Sequence, residues 1–490
     1  MKVIPTLLAA LLLVSPALAA DPDSYVPGPE SLPQAGIPKG ELLKFEFAQS
    51  KIFPGTVRTV TVYVPRQYDP AKTACVYISQ DGSPWSGQVV FDNLIAKGDI
   101  PVLIGVFVTP GVVPAIDPKT SLARYNRSLE YDGLGDDFAR MLLDEVLPFV
   151  ETKSASDGRA IHLSHSGNDR AIGGGSSGAI AAFNAAWEHP EAFSRVVSSV
   201  GTFVGLRGAD RYPILVRKYE PKPIRVFLQD GSHDLNIYGG DWWMANQTME
   251  RALTFSGYEV AHNWGDGSHN GKHITSIFPD ALRFIWKDWP KAVGNGPTQN
   301  GALKALLIAG EGWQASAAAV TAPDVPYVTD KGSVWKVKAD GTRTPVETGL
   351  QGATAVTLSP DRTLLYVAEG ASHWIYSYQV QHDGTLAYGQ RYFWLHTDDL
   401  DDESHASAMC CDKSGWLYVA TGLGVQVCDQ AGRVNAILPL PDKCATTVFF
   451  GGDKRDTLFA GCDGTLYGRR LNTVGVDPMG EPVLPPVPHL

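Results

Sequence analysis

The sequence predicts two folds in one chain: an α/β domain with a mainly parallel sheet and helices on both faces, followed by an all-β propeller-like domain. Three observations carry this. Apolar strand-like runs alternate with helix-like runs up to about residue 290, and a Gly/Pro/Asn-rich stretch then breaks every periodicity. Beyond it only short aromatic and β-branched runs remain, separated by Asp-Gly, Ala-Gly and Ser-Gly turns. The 490 residues suffice for two domains with full cores.

Taken in order, residues 1–20 open with a lysine, continue through an apolar stretch from Leu7 to Val14 and reach Ala17-Leu18-Ala19. That pattern reads as a secretory signal peptide cut after Ala19 or Ala20. Its apolar run is short for a bilayer, and no later segment could span one, so the mature protein is expected to be exported (secreted or periplasmic) without a membrane partner. Residues 21–41 form a leader segment.

Residues 42–290 hold the α/β pattern. "TVRTVTVYVP" and "ACVYISQDG" read as strands, "DDFARMLLDEVLPFVETK" has helical spacing with acids early, "RVFLQDGSHD" is a strand running into a loop, and "WWMANQTMERALTFSG" is helical up to a glycine stop. Apolar strands separated by helices imply a parallel sheet covered on both faces. Residues 291–301 are a linker, 302–475 the propeller-like region, and 476–490 a loose Pro-rich tail. The formal charge of −11, with no Lys/Arg block, argues against a nucleic-acid partner and points to a small-molecule or glycan ligand. Of six cysteines, five fall after residue 400; no pairing is assigned and no metal spacing is present.

"GGSSG", Gly174 to Gly178, fits G-x-S-x-G with Ser176 at its centre, between an apparent strand and an apparent helix. A serine nucleophile must project from a tight strand-to-helix turn, and small flanking residues relieve the crowding there. The turn also puts the Ser177 amide at a helix start, where it can face an oxyanion. A serine needs a base and an orienting acid, which in α/β-hydrolases follow in the order acid, then histidine. Asp234 lies in the loop after a strand and His269 in a Gly-rich loop before a terminal helix. Asp230 is nearer the strand end and suits a turn or N-cap, His273 lies one helical turn beyond His269, and His162 and His165 precede the serine. Asp234 and His269 are preferred. Trp85, Trp242, Trp243 and Asn246 are candidates for an aromatic acyl or sugar pocket. Arg127 and Glu130 are spaced to pair with each other.

Together with "DNLIAKGDIPVLIGVFV" and "RYNRSLEYD", these motifs resemble the esterases related to enterochelin esterase and to the feruloyl and acetylxylan carbohydrate esterases, across about Leu42 to Pro290. The resemblance implies Ser176 as nucleophile, Asp234 as acid, His269 as base, and an oxyanion-hole amide from Gln80 to Gly82, taken as Asp81. It implies an exported serine esterase acting on a carbohydrate-linked acyl ester or a siderophore-type ester, with no cofactor and no metal.

From Gly301 to Arg470 the chain resembles the gluconolactonase/regucalcin propellers, which carry a central divalent metal, although the stretch is short for six blades. Thr354-Ala355, Ser407-Ala408-Met409 and Thr447 stand where the family has its ligand motifs, so this half is expected to hold no catalytic metal. The acidic run Thr397 to His405 reads as a solvated loop, with weak calcium binding as the alternative. The alternative reading is a lactone-hydrolysing or sugar-binding propeller with a non-catalytic esterase-like half.

Overall fold

The computed structural model describes residues 23–316, 320–346, 348–350, 352–398, 401–441, 443–462 and 464–488. The signal peptide read at 1–20 lies outside the described residues. No helix among those described is long and apolar enough to cross a membrane.

The first half is built on eight strands: β1 (Glu41–Phe47), β2 (Arg58–Val64), β3 (Cys75–Gln80), β4 (Leu103–Val108), β5 (Arg170–Gly175), β6 (Arg195–Ser199), β7 (Arg225–His233) and β8 (Glu259–Ser268). They lie side by side in the order β1-β2-β4-β3-β5-β6-β7-β8. β1 and β2 run antiparallel at one edge, and all pairs from β4 onward are parallel. Central strands such as "CVYISQ" are buried throughout, because the alternation of side chains sends Val76 and Ile78 to one face and Cys75 and Tyr77 to the other. The first face is covered by α2 (Ser177–Glu188), α3 (Tyr212–Lys218) and α4 (Trp242–Ser256); the second by α1 (Gly87–Lys97) and α5 (Lys272–Trp286). α4 begins on Asp241, whose carboxylate accepts the Met244 amide, and stops at Gly257 in the left-handed region, as its sequence suggests.

The region 136–153 is helical but not regular: a short α-turn leads into a π-helical stretch, Met141–Val146, before Leu147–Glu151. Arg127 and Glu130 do not pair with each other. Glu130 meets Arg58 with both side chains fully buried, while Arg127 grips the carboxylate of Asp81 through two bonds of 2.8 Å. The intervening helix is a single turn wedged between β2 and the loop after β3, so its two charged residues face different walls.

After the linker, α6 (Gly301–Leu306) begins on Asn300, whose side chain accepts the amides of Ala302 and Leu303. Four sheets follow. Blade one spans 327–346 with three strands, blade two 353–394 and blade three 408–438 with four each. Blade four combines three strands of 447–470 with Gln314–Ala315 from the beginning of the domain. The innermost strands of successive blades pack side by side. Residues 322, 323, 325 and 326, together with 476–478, help to line a central cavity of about 320 Å³. The short propeller is therefore a four-blade one.

The tail expected to be loose is tied down over 476–488. The amide of Val476 donates to Cys411 O, that of Val483 to Pro360 O, and Gln430 Nε2 donates to Pro486 O. A disulfide, Cys444–Cys462, which no sequence spacing revealed, links the loop before blade four to the blade's second strand.

The two halves share one apolar cluster. It runs from the β2–β7 face through Trp187, Tyr212 and Tyr219 to Tyr366, Phe393 and Ile437. At the seam Tyr219 pairs with Ile437 in parallel β fashion, and Asn300 Nδ2 donates to Arg217 O and Asn435 O. Arg469, itself buried, is held by both oxygens of Glu220 at 2.6 and 2.9 Å. Lys218 Nζ donates to His396 Nε2 at 2.7 Å.

Candidate active site

Ser176 follows β5 directly and starts α2 from φ +59°, ψ −125°, a conformation that non-glycine residues rarely adopt. Two flanking glycines make the turn possible. A Cβ on Gly174 would lie 2.4 Å from Gly178 O, and one on Gly178 would lie 3.1 Å from Asp81 Oδ2. The first glycine thus lets the helix start close to the strand end, and the second lets the loop after β3 close against the helix. The Ser176 amide donates to Ser199 O of the neighbouring strand at 2.9 Å, which fixes the turn to the sheet.

Asp234 follows the end of β7 and His269 follows the end of β8, so with Ser176 after β5 all three residues sit at the carboxyl edge of one run of parallel strands. The Ser176 hydroxyl donates to His269 Nε2 at 2.8 Å, and His269 Nδ1–H donates to Asp234 Oδ1 at 2.5 Å. The Asp234 side chain is fully buried, while that of His269 is 21% exposed and reachable from solvent. Burial alone would raise the Asp234 carboxyl, but hydrogen bonds from His269 and Asp230 hold it below its ordinary value. The imidazole is thereby oriented by an anion on one side and presents a basic nitrogen to the serine on the other.

Two of the other candidate histidines are engaged elsewhere. His273 is buried, accepts Gln229 Nε2–H at Nδ1, donates from Nε2 to Asn263 Oδ1 and stacks on Tyr25. His165 lies against Glu151.

The oxyanion side differs from expectation in one respect. Ser177 opens α2, where the first amide has no acceptor within its own helix. The Asp81 amide, however, donates to Tyr131 Oη at 3.3 Å, and that of Gly82 to Val108 O. Asp81 itself sits at φ +61°.

Of the four pocket candidates, Trp85 lies beside the turns that carry the serine and the histidine. It is partly exposed, its ring approaches Gly175 and Gly271 beside the serine and histidine turns, and Phe278 supports it edge-on. Trp242 is buried, packs edge-on against His269 at 5.9 Å and donates Nε1–H to Thr202 Oγ1. It is a support for the imidazole rather than a wall. Asn246 is wholly buried with Nδ2 on Gly201 O and Trp242 O, and Trp243 packs edge-on against Trp264. These two are corrected to packing residues, because α4 turns them inward and sideways.

Sequence reasoning missed three contributors. Thr202 Oγ1 lies 3.4 Å from Ser176 Oγ. Asp23 accepts the amide of Ser268, adjacent to His269, and Tyr25 both donates to and accepts from Asp266 in the same loop. Nothing in the pattern of the leader marks Asp23 or Tyr25, since their partners lie more than 240 residues away.

The propeller cavity is lined by Thr354, Ala355, Ser407, Ala408, Met409 and Thr447 among others. Its one carboxylate, Asp477, is paired with Arg455 at 2.8 Å, and Thr354 Oγ1 donates to Ala406 O. Neutral hydroxyls and a spent carboxylate do not fit a divalent cation of the gluconolactonase type, which needs several anionic or amide oxygens converging on one point. The exposed Asp401, Glu403 and His405 lie in the acidic run outside this lining.

Residues 50–274 match the family model described as "Putative esterase", and residues 312–461 match that of the SMP-30/Gluconolactonase/LRE-like region. The chain thus joins an esterase-family region to a gluconolactonase-like one. No curated protein matches it. Among solved structures it is similar to a ferulic acid esterase (18% identity, 51% of this chain and 98% of that one, TM-score 0.40). It is also similar to the enterobactin esterase of Shigella flexneri (18%, 52% and 62%, 0.39) and to the feruloyl esterase module of Clostridium thermocellum (16%, 56% and 97%, 0.39).

Proposed function

We propose that this chain, an esterase-family region joined to a gluconolactonase-like one, is an exported serine esterase that hydrolyses a carboxylic ester through Ser176, His269 and Asp234. The observation that carries the reading is the continuous hydrogen-bonded line from the Ser176 hydroxyl through both nitrogens of His269 to a buried carboxylate, with the serine held at positive φ.

In this reading His269 Nε2 takes the hydroxyl proton as Ser176 Oγ attacks the ester carbonyl. The imidazolium, stabilised by Asp234, then gives that proton to the departing alkoxide, leaving an acyl-enzyme. Water, deprotonated by the same nitrogen, releases the acid. The Ser177 amide receives the oxyanion, and the Asp81 amide joins it by giving up a bond to Tyr131 that at 3.3 Å is long for N–H···O. Each such donor lowers the barrier by about 3 kcal/mol. The partly exposed ring of Trp85 beside the serine suits the flat face of an aromatic acyl group, which favours a carbohydrate-linked or siderophore-type aryl ester. The disulfide suits an oxidising compartment and, with residues 1–20, supports export.

The test is initial-rate hydrolysis of p-nitrophenyl acetate and methyl ferulate by the mature protein, beside Ser176→Ala and with chelator. Activity lost in the variant and untouched by chelator is expected; activity that survives Ser176→Ala overturns the assignment.

A further inference from the structure

Behind the acid of the proposed triad lies a second carboxyl that the mechanism does not use. Asp230 is fully buried near the end of β7, and its Oδ1 accepts the Gly231 amide at 2.7 Å. Its Oδ2 is buried without a nitrogen donor, and so is Asp234 Oδ2, the oxygen that His269 leaves unused. The two carboxyls lie within hydrogen-bonding reach of each other.

Two ionised carboxylates cannot face each other in a dry site; one shared proton turns the repulsion into a strong hydrogen bond. The geometry decides which group keeps it. Asp234 receives N–H bonds from both His269 and Leu235, which favour its anion, whereas Asp230 receives the Gly231 amide and a weaker contact from the Asn246 side chain and is the more deeply enclosed. The groups around Asp230 offer no cation. α4 brings the neutral Asn246, β8 places Trp264 and Gly265 opposite residues 230 and 231, and β6 brings Ser199 opposite Gln229; His269 reaches it only through Asp234.

We propose that Asp230 is a positioning residue that stays protonated and donates its O–H to Asp234 Oδ2, locking the carboxylate plane against His269. The inference rests on the serine-esterase reading and adds a member to its relay. Burial and the neighbouring Asp234 both push the Asp230 carboxyl upward, in the same direction. At alkaline pH Asp230 ionises, the two anions repel, Asp234 leaves His269, and turnover falls while substrate binding does not.

The experiment is a set of pH–rate profiles of the full chain on methyl ferulate for wild type, Asp230→Asn, Asp230→Ala and Ser176→Ala. Asparagine can donate N–H to the same oxygen and cannot ionise. It is expected to keep kcat near that of wild type at neutral pH and to lack the alkaline fall. Alanine is expected to lower kcat by roughly ten- to a hundredfold with KM nearly unchanged, the cost of a loosened relay. Should asparagine not fold at this position, Asp230→Ser, smaller and still a hydroxyl donor, reads the same limb. Infrared difference spectra of Ser176→Ala supply a readout independent of turnover: a protonated-carboxyl band present at neutral pH, lost on alkalinisation and missing from Ser176→Ala combined with the folded Asp230 variant. An alkaline limb in the folded asparagine or serine variant that coincides with wild type, or no such band, overturns the role of Asp230. Undiminished hydrolysis by Ser176→Ala overturns instead the reading on which it rests.

Discussion

The two halves of this chain treat their polar side chains in opposite ways. In the first, strand ends deliver Ser176, Asp234 and His269 to one edge, where the serine hydroxyl donates to His269 and His269 donates to the buried Asp234. In the second, four inner strands surround a cavity of about 320 Å³, yet Thr354 turns its hydroxyl onto a backbone carbonyl and Asp477 is neutralised by Arg455. The propeller cavity is thus chemically quieter than the serine edge. A site is diagnosed by the alignment of its polar groups and by backbone strain held at a reacting atom, and enclosed space alone is a weaker sign.

The largest expected effect separates the halves outright. Ser176→Ala lowers kcat/KM for ester hydrolysis on the order of 10⁴-fold or more, while Thr354→Val with Ser407→Ala leaves it unchanged. Equal losses from the two would erase the contrast. Next in size, Glu130→Ala leaves the buried Arg58 guanidinium without its carboxylate and costs about 3–5 kcal/mol of stability, read by chemical denaturation. No ion pair in the propeller has both side chains fully buried among the described residues, so alanine at Asp429, whose partner Arg433 is exposed, is expected to cost under about 1 kcal/mol.

A third prediction concerns the seam. Burial, then the charges of Lys218 and Arg211 and the nearby His373, push the His396 imidazole down to about 3, against about 6.5 in an unfolded chain. The folded state therefore binds fewer protons, so the contribution of His396 is complete above about pH 6.5 and is lost as pH falls toward the folded value. The slope approaches 1.4 kcal/mol per pH unit, about the limit for one group. Thermal unfolding over mildly acidic pH should show this slope in wild type and a shallower one in His396→Gln; identical slopes would place the acid sensitivity elsewhere. The smallest effect is expected from chelator, which should change neither hydrolysis nor melting temperature.

Much of this was readable from the residues. The elbow motif works locally: Gly174 and Gly178 are needed by contacts within five residues of Ser176 or with the adjoining loop, and such short-range demands leave a visible pattern. The strand-and-helix alternation gave the fold class for the same reason, since period-2 and period-3.6 burial is written in consecutive residues. What was hidden depends on distant partners. Spacing pairs Arg127 with Glu130, but the carboxylate it meets is Asp81, 46 residues earlier. Asn246 and Trp243 looked like pocket residues because their helix follows the acid loop, and only its rotation against the sheet decides which side chains face Ser176. The tail, judged by composition as loose, is held by backbone bonds to which proline composition is blind.

The seam between the halves has a bearing on descent. A module that moves freely between genes carries its own finished surface, but here Tyr219 completes a β pairing with Ile437, and Asn300 ties Arg217 to Asn435. Recombination that brought a different propeller to the same junction would leave Glu220 without Arg469 and an apolar edge around Trp187 and Tyr219 open to water. Once fused and mutually fitted, two halves joined in this way pass to descendants as one heritable unit, because the surface each supplies is finished by the other.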